Sequence, residues 1–111
     1  MLARLCRTHS TPRRRAMLAE RTLEEARKAA RAYCRRGWLR RCDIDCAATD
    51  AAAWCMSDGL RSFNPVRASW TTFVSLAVRR EARRISADEE RQARVRGEIA
   101  RMQGEGGDSH F

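Results

Sequence analysis

The stretch FNPVRASWTTFVSLAVRREARR, residues 63–84, decides the fold because it joins a turn to a strongly amphipathic helix. Asn64-Pro65 predicts the turn, since proline fixes φ and the residue before it avoids the α region. Ser69 predicts the helix start, because its hydroxyl accepts a hydrogen bond from an otherwise unpaired first-turn N–H group. Apolar side chains then recur at helical spacing and predict one core-facing stripe: Trp70, Phe73, Val74, Ala77, Val78, Ala82 and Ile85.

Four arginines, Arg79, Arg80, Arg83 and Arg84, fall beside or opposite this stripe. Like charges at i,i+4 on a helix repel one another slightly, and an anionic partner would relieve that repulsion. The pattern alone leaves two interpretations open. One is the solvated basic face of an ordinary helix, and the other is a nucleic-acid-binding surface.

The segments before this stretch predict two further helices. The first begins near Arg13 or at Thr22, where Thr22 and Glu25 match a capping box, and it stops at Gly37. The second spans about residues 45–61 and is rich in alanine, the residue with the strongest helix propensity.

A fourth helix is predicted to start at Ser86, with Glu89 as its capping-box partner, and to fade near Gln103. Its apolar stripe is thin, so tight packing is not expected. Because no strand is predicted, we expect an all-α fold, a small bundle of three to four helices.

The length of 111 residues predicts one domain. We expect a flexible basic arm over residues 1–15, a helical domain over 16–103 and a disordered tail over 104–111. The first 19 residues carry five arginines and no acid, which also fits the chemistry of a transit peptide, but the arm is favoured because the basic character continues into the rest of the chain.

The net charge of +9 favours an anionic partner, most often a nucleic acid. Arginine supplies 22 of the 23 basic side chains, a bias that a GC-rich genome would also produce. No apolar run approaches the length of a membrane span, so no membrane partner is expected.

The five cysteines and two histidines match no catalytic or metal-binding pattern. An odd cysteine count without a secretory signal predicts reduced thiols and a cytoplasmic location. No enzyme activity, metal site or cofactor is predicted. Small buried thiols are the expected role of the cysteines, which are Cys6, Cys34, Cys42, Cys46 and Cys55.

Residues 43–85 resemble region 2 of the sigma-70 family RNA polymerase sigma factors, most of all the extracytoplasmic-function type. The turn Phe63-Asn64-Pro65 matches the family's Phe-Asp-Pro turn. Two further segments then follow in register with the family pattern. They are the helix start Ala68-Ser69-Trp70-Thr71-Thr72-Phe73-Val74 and the segment Ala77-Val78-Arg79-Arg80-Glu81-Ala82. The resemblance covers about two-fifths of the chain.

The sequence departs from the family in three places. Cys46-Ala47-Ala48-Thr49-Asp50 replaces the family's Asp-Leu-Val-Gln-Glu run, and Ala68 stands where the family has glycine. The helix-turn-helix domain that reads the minus-thirty-five element in full-length members, region 4, does not follow in this sequence.

The resemblance implies a helical module that docks on the beta-prime clamp helices of core RNA polymerase and helps to melt and read the minus-ten element of promoter DNA. It implies polymerase contacts at Asp43, Asp45, Asp50 and Asp58. It implies DNA contacts at Trp70, Phe73, Arg79, Arg80, Arg83 and Arg84, although for the two aromatic residues a place in the core is favoured over base stacking. An anti-sigma protein or a separate region 4-like protein is a further implied partner.

Two other function classes stay open. One is a generic basic helical nucleic-acid-binding protein of a phage or mobile element, and the other is a helical adaptor without DNA contact.

Overall fold

The structure is a computed structural model that describes residues 11–107, with side chains described for residues 11–104. It contains three α-helices and, within the described residues, no strand: α1 (Pro12–Arg35), α2 (Ile44–Trp54) and α3 (Trp70–Gly107). A 3₁₀ turn, Arg41–Asp43, leads into α2, and a π turn, Cys55–Gly59, with a last α turn, Leu60–Ser62, extends it. The predicted small all-α bundle is confirmed.

Helix α1 starts at Pro12, within one residue of the predicted start near Arg13. The Thr11 side chain accepts from the Arg14 N–H at 3.2 Å, and Pro12 occupies the first turn, where a missing N–H group is harmless. The predicted cap at Thr22 is wrong. Thr22 lies buried inside α1, where its hydroxyl donates to the Leu18 carbonyl at 2.6 Å.

The end of α1 follows the predicted glycine stop. Gly37 has a φ of 83° and donates its N–H to the Cys34 carbonyl, while the Trp38 N–H bonds the Tyr33 carbonyl at 3.0 Å. This pair of bonds is the Schellman motif, which usually brings the residue after the glycine onto the last turn of the helix. The Trp38 ring accordingly stacks on Tyr33, with 5.4 Å between ring centroids and 8° between planes.

The three helices meet through small side chains. Helix α2 presents an alanine face on which α1 and α3 both pack, and these small residues let the helix backbones approach closely. Fully buried positions at this junction are Ala26, Ala30, Ala47, Ala48, Ala51, Cys55, Val74 and Val78.

The connection between α2 and α3 forms as predicted. The Asn64 side chain accepts from the Val66 N–H, and the Asn64 carbonyl accepts from the Arg67 N–H, each at 3.0 Å. The Ser69 hydroxyl then accepts from the Thr72 N–H at 3.1 Å, which confirms the N-cap.

The predicted break before Ser86 is wrong, because α3 continues through it as one helix. Glu89, its proposed capping partner, instead binds Arg40 from the loop after α1 at 2.6 Å. No glycine or proline interrupts this part of the helix, and Asp88 bridges it by ion pairs to Arg84 and Arg91 at 3.5 and 3.4 Å.

Both ends of the described chain are helical where loose segments were expected. Helix α1 already includes residues 12–15 and α3 extends to Gly107, while residues 1–10 and 108–111 lie outside the described residues. Every side chain from 91 to 104 is exposed, including the thin apolar stripe of Val95, Ile99 and Met102.

None of the described helices combines the length and the apolar character that a membrane span requires.

Candidate nucleic-acid interface

Trp70 and Phe73, two of the predicted DNA contacts, lie half-buried in an aromatic cluster that fixes the start of α3. Phe63 meets Trp70 and Phe73 edge-on at centroid distances of 5.0 and 5.2 Å, and Trp54 stacks on Phe73 at 5.6 Å. The Trp70 Nε1 group also donates to the Thr22 hydroxyl at 2.9 Å. These contacts favour a packing role, because each of the two rings contacts at least two other rings of the cluster.

Arg79 and Arg83 lie one turn apart on the side of α3 that faces the end of α1. Together with Trp38 they line an open cleft of about 420 Å³, which Ala82, Ser86, Ala87 and Glu90 complete. The Arg79 guanidinium carbon lies 5.5 Å from the centroid of the Trp38 ring, within cation–π range. The structure therefore brings two of the predicted arginines together with an aromatic ring that the prediction did not include.

Trp38 is the residue that the sequence prediction missed. Trp38 is 45% exposed, which is unusual for a tryptophan, and Arg36 also lies over the ring at 5.7 Å. The sequence does carry a signal, since RRGWLRR places this tryptophan between two arginine pairs, directly after the helix-stopping Gly37. An exposed ring among cations is a common platform for unpaired bases.

Arg80 and Arg84 point to the other side of α3, toward α2. The Arg80 guanidinium carbon lies 4.2 Å from the Trp54 ring centroid. Arg84 binds three carboxylates, those of Glu81, Asp50 and Asp88, at 2.8, 3.4 and 3.5 Å. The hydrogen bond to Glu81 raises the pKa of Arg84 above its ordinary value. Arg84 is thus occupied by its own chain, whereas Arg80 keeps an exposed charge.

Three of the four predicted polymerase-binding acids pair with arginines of this chain, and two of these pairs are close. Asp43 binds Arg40 at 2.9 Å, and Asp50 binds Arg84 at 3.4 Å. Both contacts link α2 or its leading turn to the neighbourhood of α3, so these carboxylates help to join the helices.

The other two acids lie apart from them. Asp45 faces α1, where its carboxylate is 4.0 Å from Arg27 and remains largely exposed. Asp58 lies exposed in the π turn and forms no ion pair with any residue from 11 to 104. The structure does not gather the four acids into one patch, and Asp58 is the one with an unpaired charge.

Two of the described cysteines, Cys46 and Cys55, are poor nucleophiles. The negative charge of Asp50 raises the pKa of the Cys46 thiol, and burial raises the pKa of Cys55 to about 12, so both stay protonated near neutral pH. Within the described part of the chain, no three histidine, cysteine or acidic side chains converge as metal ligands. Cys6, His9 and His110 lie outside it.

Comparison of the chain with protein-family models, with curated proteins and with solved structures gives no match. The likeness to sigma region 2 therefore depends on the motifs within residues 43–85.

Proposed function

We propose that this chain acts like region 2 of a sigma factor, binding core RNA polymerase and minus-ten promoter DNA in the cytoplasm. The observation that carries the proposal is the way the matching residues pack. The Asn64 turn, the Ser69 cap and the aromatic cluster around Trp70 form one unit that holds the basic part of α3 in place.

Three arginines of α3, Arg79, Arg80 and Arg83, supply the DNA contact. Arg79 and Arg83 face the Trp38 cleft, and Arg80 lies on the neighbouring side of the same helix. Arginines at such positions bind phosphates and release condensed counterions, so DNA affinity is expected to fall steeply with salt. Neither Arg79, Arg80 nor Arg83 forms an ion pair with a carboxylate of residues 11–104, so their charges are available to a polyanion.

Asp58 is the acid best suited to a polymerase contact, because it is exposed and unpaired among the described residues. Co-purification with core RNA polymerase tests this contact. We expect the wild-type chain to be retained and Asp58→Arg to be lost. The control variant, Glu24→Arg, makes the same charge change at an exposed position on α1 and should be retained. Failure of the wild-type chain to bind core enzyme would refute the sigma-like function.

A second function, nucleic-acid binding without polymerase, is favoured by the pairing of the other three acids. Asp43, Asp45 and Asp50 already face arginines of the same chain, which reduces the negative charge offered to a partner protein. Binding of single-stranded DNA without retention by core polymerase would support this alternative. Retention by a partner protein without any DNA binding would instead favour an adaptor.

A further inference from the structure

We propose that the cleft between Trp38 and α3 is a stacking site for one unpaired base of a single-stranded nucleic acid. The inference rests on the proposed function, since it specifies which form of nucleic acid this surface takes. The site comprises the Trp38 ring as the stacking surface and Arg36, Arg79 and Arg83 as the surrounding cations.

The Trp38 ring is held in one position before any ligand arrives. The backbone bond from Trp38 to Tyr33 and the stacking of the two rings fix the indole against the end of α1. Tyr33 is itself anchored, because its hydroxyl lies 3.2 Å from the carbonyl and 3.0 Å from the hydroxyl of Ser75 on α3. A rigid ring loses little conformational entropy when a base stacks on it, and this preorganisation favours binding.

Three guanidinium groups surround this ring with no carboxylate partner among residues 11–104. Arg36 and Arg79 lie 5.7 and 5.5 Å from the indole centroid, and Arg83 lines the cleft one turn further along α3. Cations so close together repel one another, and the phosphates on either side of a bound base would neutralise them. The charge of the site therefore matches a nucleotide chain better than a neutral aromatic ligand.

Arg79 carries an unused hydrogen-bond donor. Its Nε atom is buried and has no hydrogen-bond partner in the described structure, an arrangement that costs free energy. A base edge or phosphate oxygen in the cleft would draw the guanidinium toward it and supply the missing acceptor. Glu90, the one acid lining the cleft, offers an acceptor for a base amino group.

The dimensions and the chemistry favour a single strand over a duplex. The cleft holds about 420 Å³, within the range of small-ligand sites. Bases in a duplex are stacked on their neighbours and paired, so they offer no free face to Trp38. An unpaired base offers one, and aromatic stacking of this kind tolerates any base.

The test uses an oligothymidine strand that carries one 2-aminopurine, whose fluorescence is quenched by stacking. We expect the wild-type chain to quench it on binding. Trp38→Leu keeps an apolar cover on Tyr33 but removes the aromatic stacking partner, so quenching should disappear and affinity should fall roughly tenfold. Trp38→Phe should keep the quenching, and Arg83→Ala should weaken binding while the remaining complex stays quenched. Circular dichroism of each variant checks the fold.

The possible results separate this inference from the proposed function. If Trp38→Leu quenched the fluorescence as strongly as wild type, the stacking site would be refuted while DNA binding stood. Tighter binding of the wild-type chain to the matching duplex than to the single strand would have the same meaning. Absence of any DNA binding would refute both proposals. Photocrosslinking of the wild-type chain to a 5-iodouracil strand gives a second test that needs no variant. Crosslinks at Trp38 would support the site, and crosslinks only elsewhere would overturn it.

Discussion

Replacement of Gly59 by alanine tests whether the contact between α2 and α3 is as tight as the structure indicates. Gly59 lies buried in the π turn at the end of α2, beneath the aromatic cluster. A Cβ atom added there would lie 3.0 Å from Phe73 Cε2, 3.1 Å from Trp54 Cζ3 and 3.2 Å from the Trp54 carbonyl oxygen. All three distances are shorter than ordinary van der Waals contact.

Two opposing terms set the effect on the free energy of unfolding. Alanine is favoured over glycine in a helix by about 1 kcal/mol. Overpacking of a well-packed site costs about 1–3 kcal/mol. The upper part of that range applies here, because Phe73 is stacked on both Trp70 and Trp54 and the nearest oxygen belongs to the backbone. We therefore expect Gly59→Ala to lose about 1 kcal/mol net, which lowers the melting temperature by about 4–8 °C.

Urea denaturation followed by far-UV circular dichroism measures this loss. Gly97→Ala is the matched control, since it also lies in a helix but a Cβ there meets no atom within 4 Å. It should gain helicity without destabilising the core. A Gly59→Ala variant as stable as wild type, or more stable, would refute the packing argument at the π turn.

Three further perturbations test other parts of the fold. Thr22→Val leaves the Trp70 Nε1 group without its acceptor and should cost about 1–3 kcal/mol in urea unfolding, whereas Thr22→Ser keeps the hydroxyl and most of the stability. The pKa of Cys55 is about 12 in the fold against 9.0 for the unperturbed thiol, because burial favours the neutral thiol. The stability that the buried thiol contributes is therefore fully present below pH 9 and is lost as the pH rises toward 12. Cys55→Ala should reduce this fall of the urea-unfolding midpoint at alkaline pH. Alkylation of the native protein, measured by mass spectrometry, should modify the exposed Cys42 but not the buried Cys55. Deletion of residues 95–111 should leave the thermal midpoint unchanged, because every residue from 91 to 104 is exposed, and a lower midpoint would show that the end of α3 has a partner.

The sequence predicted the features of the fold that depend on neighbouring residues. The Asn64 turn, the Ser69 cap and the stop at Gly37 each need only a side chain or a φ value within a few residues of the bond they form. The periodic apolar stripe of α3 identified Val74 and Val78 as core for the same reason.

The two capping boxes failed because distant residues use the same side chains. Thr22 accepts a hydrogen bond from Trp70, 48 residues away, and therefore lies in the core instead of at a helix start. Glu89 binds Arg40 from the loop between α1 and α2 and leaves Ser86 in mid-helix. Sequence motifs of four residues carry no information about such contacts.

The arginines of the candidate site show the same limit. Sequence alone put Arg79, Arg80, Arg83 and Arg84 in one basic cluster. Successive residues of a helix lie about 100° apart around its axis. The pair Arg79 and Arg83 therefore faces different neighbours from the pair Arg80 and Arg84. In the first pair, Arg79 contacts Trp38, which follows α1. In the second pair, Arg80 contacts Trp54 and Arg84 binds Asp50, both of α2.

The salt dependence of binding to single-stranded promoter DNA shows whether the arginines of α3 neutralise phosphates. We expect Arg79→Ala plus Arg83→Ala to weaken binding and to reduce the slope of log K against log salt by about 1.4, or about 0.7 for each phosphate that is no longer neutralised. Arg14→Ala plus Arg21→Ala, a matched double change on exposed residues toward the start of α1, should leave the slope nearly unchanged. An unaltered slope in the Arg79 and Arg83 variant would contradict DNA binding by this face of α3 and identify these arginines as a solvated face.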